Sequence, residues 1–321
     1  MKKKKVYITR FIDQNSIDFL KEHFEVEVYE KDSAVPRKEF LEKIKLADGV
    51  ISLPTDKIDC EAMETGKNVK IFANCSVGYE NMDVKEAGQR GVYVTNTPGV
   101  LSDTTAELAF ALLIGCARRI VEADKYTRNG EFKAWSSKIF LGYDLKEKTL
   151  GIIGAGRIGK SLAKKCAGFD MKIIYCNRKR DLQFEKDFNS VYVSFEELLK
   201  NADFISLHTP LTEETFHLIG KKEFAMMKSS AIIINTARGP VIDEKALVAA
   251  LKEKRIYGAG LDVYEKEPNF EPELKDLENV ILLPHIGSAT HETRGKMAML
   301  AAKNVYEVLN YREPLTPIKE K

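Results

Sequence analysis

The chain has 321 residues, 44% hydrophobic and 31% charged, enough for two domains of ordinary size, each with its own core. Its 50 basic residues nearly balance 48 acidic ones, and the resulting net charge of +2 argues against a general nucleic-acid or membrane-surface binder, which needs a strong basic excess. The five cysteines (Cys60, Cys75, Cys116, Cys166, Cys176) are scattered without a CxxC spacing, so they suggest neither a disulfide framework nor a metal site, and read as reduced thiols of a cytoplasmic protein.

At the start, "MKKKK" has the charge of a signal-peptide opening, but "VYITRFIDQN" after it lacks an apolar core of adequate length, so the stretch reads as a basic lead-in to a first strand. No run reaches the roughly 18 apolar residues that a membrane span requires. The elements then follow as "KVYIT", the amphipathic "NSIDFLKEHF", "EVEVYE", the helical "RKEFLEKIKLA", "GVISL", "VKIFANC" and "GVYVTNT". Apolar, β-branched runs alternating with helical patterns predict βαβ units and a parallel sheet covered on both faces.

The pattern changes at "NTPGVLSDTTAELAFALLIGCARRIVEADKYTRNGEF". Pro98 and Gly99 break the strand, and Thr104 with Glu107 has capping-box spacing ahead of an apolar-periodic helix of about 20 residues. A helix placed there is a candidate bridge between domains. The loop "KAWSSKIFLGYDLKEK" leads to a second set of strands: "TLGIIGAG", "KIIYCN", "DFISLHTP", "AIIINTA", "GAGLDVY" and "VILLPHIG". The helix "THETRGKMAMLAAKNVYEVLNY" closes the chain. The expected fold is α/β, with two Rossmann-like parallel-sheet domains, residues 101–289 being inserted into a domain of residues 1–100 plus 290–321.

In "TLGIIGAGRIGKSLAKKC", Gly154, Gly156 and Gly159 form GxGxxG directly after a strand and directly opening a helix. The first glycine permits the tight turn, the second lets backbone approach a pyrophosphate, and the third lets helix and strand pack closely. Unpaired N–H groups at the helix start, including those of Arg157 and Ile158, would face the anion. Cys176 ends the next strand 22 positions after Gly154, where an acid usually binds the adenosine ribose. A thiol cannot replace that acid and does not repel a 2′-phosphate, while Arg178 can pair with one, helped by Lys179 and Arg180. The stretch "CNRKR" therefore predicts NADP(H) preferred over NAD(H), with NAD(H) still possible. It also reads as a solvated charge run behind a packed cysteine.

Three polar residues close late strands, where open α/β sheets place their ligand crevice. Arg238 ends "IIINTARGP", Glu267 follows "LDVYEKEP" and His285 ends "ILLPHIGS", at separations of 29 and 18 residues. Hydride transfer to a carbonyl carbon builds charge on oxygen, and a positioned acid must supply a proton there; His285 suits that role. Glu267 is the candidate to fix its tautomer, and Arg238 the candidate to grip a substrate carboxylate. Each also has a plain structural reading as a strand cap, a loop charge or a hydrogen-bonded histidine. Of the other histidines, His23 and His217 read as surface or helix-end positions, His208 as a border of the cofactor pocket, and His291 as part of a helix opening.

Together, "LGIIGAGRIG", "LHTPLTEETFHLI", "MKSSAIIINTARGPVID", "GAGLDVYEKEP" and "LLPHIGSATHETR" make the chain resemble the D-isomer-specific 2-hydroxyacid dehydrogenases over nearly its whole length. The resemblance implies a discontinuous, flavodoxin-like substrate domain, an inserted NAD(P)-binding Rossmann domain, a cleft between them and a homodimer. It supports Arg238, Glu267 and His285 as the catalytic set. It also implies that "CSVGYENMD" offers the Val77 and Gly78 amides to the substrate carboxylate. Thr104, Thr209, Thr236 and Asp262 would contact the cofactor, with Asn177, Ala237 and Gly287 beside them.

Within the family the chain looks most like glyoxylate/hydroxypyruvate reductases and bacterial 2-ketogluconate reductases, through "TARGPVIDE" and "HIGSATHETR". Trp135 stands where the former carry a tryptophan that can reach the partner subunit's active site, and plain interface packing is its other reading. Glu267 stands where formate dehydrogenases carry glutamine. Only 36 residues follow His285, too few for the regulatory domain of long phosphoglycerate dehydrogenases, though a short form of that enzyme remains open. The expected activity is NADPH-dependent reduction of glyoxylate and hydroxypyruvate to D-2-hydroxy acids. Reduction of 2-ketogluconate is an alternative, and a dinucleotide-sensing corepressor is the rival from another class.

Overall fold

The computed structural model describes residues 3–319, so Met1 and Lys2 of the basic lead-in lie outside the described residues. The chain divides into two compact units: the residues up to Leu101 together with those from Ser288 onward, and Ser102–Gly287.

In the first unit the chain runs β1 (Lys5–Ile8), α1 (Gln14–His23), β2 (Glu25–Val28), α2 (Arg37–Ile44), β3 (Gly49–Ser52), α3 (Cys60–Thr65), β4 (Ile71–Asn74), α4 (Val84–Arg90) and β5 (Tyr93–Thr95). The strands are all parallel, in the order β2-β1-β3-β4-β5. Every residue of β3 and β4 is buried, because a parallel strand covered on both faces needs side chains that tolerate burial on both. β2 at the edge is EVEV, alternately exposed and half-buried. Asp13, Asp59 and Asp83 start α1, α3 and α4 by each accepting the amide of the third helical residue.

The second unit opens with α5 (Ser102–Ala117) and α6 (Ile120–Arg128). It continues through β6 (Thr149–Ile153), α7 (Arg157–Ala167), β7 (Lys172–Cys176), α8 (Leu182–Phe188), β8 (Val191–Tyr192), α9 (Phe195–Asn201), β9 (Phe204–Leu207), α10 (Lys221–Met226), β10 (Ile232–Asn235), α11 (Glu244–Lys252), β11 (Gly258–Leu261) and β12 (Val280–Leu282). Its parallel sheet has the order β12-β11-β10-β9-β6-β7-β8, the doubly wound arrangement of dinucleotide-binding folds with one strand added. Successive residues of β10 feed opposite cores. Ile233 packs with Leu198, Phe224 and Leu247, whereas Ile232 and Ile234 belong with Leu113, Leu162 and Phe184. The chain then returns with α12 (His291–Leu309), which packs on α1, β3, β4 and β5 of the first unit.

Two sequence expectations are corrected. The 20-residue helix is instead two, α5 and α6, and α5 begins at Ser102, so Thr104 and Glu107 lie inside it and form no cap. The break follows from the loop that docks on it: Tyr143 N–H donates to the Ala117 carbonyl at 2.9 Å, Gly142 leaves room for that approach, and Arg119 turns left-handed at φ 53°. The second correction is the edge strand β8, whose two residues are too few to show a period.

Candidate active site

Between β6 and α7, Gly154 takes φ +94°, a conformation open to glycine. A Cβ at Gly154 would lie 2.9 Å from the His208 carbonyl, and one at Gly159 would lie 2.8 Å from the Gly154 carbonyl oxygen, so both glycines permit the close packing of strand, turn and helix. Beside Gly156 a Cβ would meet nothing within 4 Å, and that residue is the N-cap, bringing no side chain to the first-turn amides of Arg157, Ile158 and Gly159. Two buried hydroxyls, Thr209 Oγ1 and Thr236 Oγ1, have no hydrogen-bond partner among the described residues. They follow β9 and β10, the successive neighbours of β6, so turn and hydroxyls share the carboxyl edge of the sheet at its switch point. Buried hydroxyls without partners are rare in native proteins. Together with the open, uncapped helix start they fit a nicotinamide dinucleotide. His208 lies behind the turn with Nε2 2.9 Å from Ser206 Oγ, and burial pushes its pKa down to about 4, so it stays neutral.

At the end of β7, Cys176 is half-buried and burial pushes its thiol up. Asn177 Oδ1 accepts the Ala155 amide at 2.7 Å, so this side chain braces the turn. Arg180 makes a bidentate pair with Glu185, both contacts at 2.7 Å, which draws it away from the role foreseen beside Arg178. Arg178 and Lys179 are exposed and enter no salt bridge among the described residues.

Asn235, at the end of β10, accepts the Ala237 amide at 3.0 Å and donates to the Arg238 carbonyl at 2.9 Å, fixing the turn that carries Arg238. The next residue, Gly239, lies so close to the segment after β11 that a Cβ there would stand 1.8 Å from the Tyr264 carbonyl carbon. Tyr264 joins the other two members of the set: its amide donates to Glu267 Oε1 at 3.0 Å and its phenol to the Leu283 carbonyl at 2.8 Å. His285 takes φ 55°, a left-handed conformation that histidine enters more often than most residues, and its Nδ1 lies 2.7 Å from Glu267 Oε2. A carboxylate only accepts, so Nδ1 carries the proton and Nε2 is the free ring nitrogen. Partial burial pushes the Glu267 carboxyl up, but the His285 hydrogen bond and charge, the Tyr264 amide and Arg238 outweigh it and hold the group below the ordinary carboxylate range.

Asp262 is buried and bridges this set, accepting the Ile286 amide at 2.7 Å and the Gly287 amide at 2.8 Å, while burial pushes its carboxyl up. Buried Glu244 accepts the amides of Glu265 and Glu271 on either side of Glu267. Asn235, Gly239, Glu244 and Tyr264 escaped the sequence reading, although an asparagine closing a strand just ahead of "TARG" is a recognisable turn signal. Thr104 lies on α5, and Trp135 stands 83% exposed in the segment after α6, packing little against its own chain. Val77 and Gly78 belong to the first unit, half-buried in the loop between β4 and α4. Among the described residues no group of three or more His, Cys, Asp or Glu side chains could hold a metal ion, and no helix is long and apolar enough to cross a membrane.

A family profile described as D-isomer specific 2-hydroxyacid dehydrogenase, NAD binding domain, matches residues 110–287. The glyoxylate reductase of Thermococcus litoralis is 55% identical over 307 residues, covering 94% of this chain and 93% of its own. Among solved structures, a Thermus thermophilus protein superposes with a TM-score of 0.93 at 43% identity, over 98% of this chain and 99% of that one. The NADPH-dependent glyoxylate/hydroxypyruvate reductase of Sinorhizobium meliloti, solved with NADP and malonate, gives a TM-score of 0.86 at 30% identity, over 98% and 97% of the two chains.

Proposed function

The chain belongs to the D-isomer specific 2-hydroxyacid dehydrogenase family, an NAD(P)-dependent dehydrogenase of the glyoxylate reductase type, and from that premise we propose that it reduces glyoxylate and hydroxypyruvate to D-2-hydroxy acids with NADPH. The observation that carries the reading is the 2.7 Å bond between His285 Nδ1 and Glu267, on a segment that Tyr264 and Gly239 press against the Arg238 turn.

When bound, the dinucleotide supplies the hydride; Gly154, Gly156, Arg157, Ile158, Gly159, Thr209 and Thr236 would hold it, with Thr104, Ala237, Asp262 and Gly287 around them. The Glu267 carboxylate accepts the Nδ1 hydrogen bond at 2.7 Å, which fixes the tautomer and holds the ring in one orientation. His285 Nε2 then delivers a proton to the keto oxygen as negative charge develops there. Arg238 attracts the substrate carboxylate and polarises the adjacent carbonyl. The Val77 and Gly78 amides would serve as main-chain donors to a substrate carboxylate. NADPH is the assigned reductant because Cys176 replaces the usual acid and exposed Arg178 and Lys179 follow it. We further infer a cytoplasmic homodimer, in which Trp135 and the apolar side chains around it meet a second copy.

Steady-state reduction of glyoxylate, hydroxypyruvate and 2-ketogluconate with both dinucleotides tests the reading. His285→Ala should lower kcat by about 10²–10⁴-fold, the usual contribution of a positioned acid. Unchanged turnover in that variant removes His285 from the role. Tight NADPH binding without turnover of any keto acid would favour the sensor reading.

A further inference from the structure

Carboxylate recognition by main-chain amides, as proposed above, requires two successive N–H groups to point the same way. In the loop after β4, three consecutive carbonyls are tied down. Thr97 N–H donates to the Ser76 carbonyl at 2.8 Å. Asn96 Nδ2 donates to the Val77 carbonyl at 2.7 Å. The Gly78 carbonyl accepts from Asn74 Nδ2 at 2.8 Å and from Ser76 Oγ at 2.5 Å.

In a trans peptide the C=O of one residue and the N–H of the next point in opposite directions. Holding the Ser76 carbonyl toward Thr97 therefore turns the Val77 N–H away from it, and holding the Val77 carbonyl toward Asn96 does the same to the Gly78 N–H. Asn96 and Thr97 are adjacent just past β5, so both N–H groups are directed away from one strand end. Successive backbone N–H groups so aligned form an anion-binding concavity.

The holders are fixed in turn. The Asn96 carbonyl accepts from Thr316 Oγ1 at 2.7 Å, and Thr316 is bound through its amide and hydroxyl by Asn304, buried in α12. Asn74 is fully buried and also donates to Asn81, which reaches the Leu53 and Asp56 carbonyls. Neither side-chain amide takes part in a strand ladder, which is made by the backbone.

We propose that Asn96 is a positioning residue for substrate-carboxylate recognition, its side-chain amide setting the direction of the Gly78 N–H, with Asn74 locking the following peptide. The role rests on the keto-acid reading of the site.

The test uses full-length Asn96→Ala, Asn96→Asp and Asn96→Gln. The alanine variant should raise KM for glyoxylate about tenfold, the loss of one hydrogen-bonded alignment, with kcat and the KM for NADPH within about twofold of wild type. Asn96→Asp should be worse, since its carboxylate repels both the Val77 carbonyl and the substrate anion, whereas Asn96→Gln keeps the donor and should restore part of the loss. Oxalate, titrated calorimetrically as a carboxylate probe, should weaken in the same order. Unchanged KM and oxalate affinity in the alanine and aspartate variants overturns the proposal. So does an equal fall in kcat and NADPH affinity, the mark of a general fold defect. If Asn96→Ala does not fold, the other pair decides: weak Asp with near-normal Gln supports the role, and equal behaviour of the two overturns it. Wild type inert toward every keto acid would sink the activity reading instead, and the oxalate series would still decide the role of Asn96.

Discussion

Arg178 is the exposed cation of "CNRKR" nearest the end of β7, and the residues around it are engaged elsewhere: Asn177 braces Ala155 and Arg180 is locked on Glu185. If an adenosine 2′-phosphate binds there, a charge-assisted hydrogen bond of roughly 1.5–3 kcal/mol falls mainly to Arg178. Arg178→Ala should then lower kcat/KM for NADPH about 10- to 100-fold while leaving the NADH value nearly constant. A dinucleotide ratio left untouched would remove the phosphate clamp without disturbing the phosphate turn or the catalytic set. The missing acid and the charge burst were legible in the sequence because the distance from Gly154 fixes where a ribose would lie. Which cation stays available was not legible, since the Arg180 pairing exists only once α8 has placed Glu185 beside it.

Turns and helix ends separate glycines that serve packing from glycines that leave room for a ligand. Gly239 holds the Arg238 turn against Tyr264, with no space for a Cβ, whereas Gly156 at the start of α7 faces open space. Gly239→Ala should cost about 1–3 kcal/mol through the forced backbone shift and lower kcat by displacing the Glu267 segment. Gly156→Ala should leave thermal stability within about 0.5 kcal/mol while weakening dinucleotide affinity. Melting curves and NADPH titrations of both variants check this pair, and the reverse pattern would refute the division. From sequence the GxGxxG spacing marked Gly156, whereas nothing marked Gly239, because chain spacing does not reveal what lies opposite it. The capping signal shows the same limit. Thr104 and Glu107 have the right spacing and fall inside α5, while a capping box forms at Ser194 and Glu197 ahead of α9. Asp103, in the first turn of α5, pairs with Lys165 of α7 at 2.9 Å, a contact between helices that sequence spacing does not show.

At the scale of the whole molecule, two doubly wound sheets explain why βαβ alternation alone announced the architecture: the buried strands are mostly apolar, and every crossover within a sheet except β11 to β12 runs through an α-helix. One stretch does not join either core. Not one residue of α6 is buried, and Ile120, Val121, Phe132, Trp135 and Leu141 are all exposed along α6 and the segment after it. Singly exposed apolar side chains are ordinary, and five along one stretch are what the proposed homodimer would cover. Covering it with its own copy is the economical solution, since one surface then completes two chains at once. The 36.3 kDa chain should therefore sediment at twice that mass. The double variant Val121→Glu, Leu141→Glu should weaken self-association about 30-fold or more, as charges placed in an apolar interface centre do. Wild type sedimenting as a monomer at every concentration would rule the homodimer out. A dimer indifferent to both glutamates would move its interface to another face of the chain.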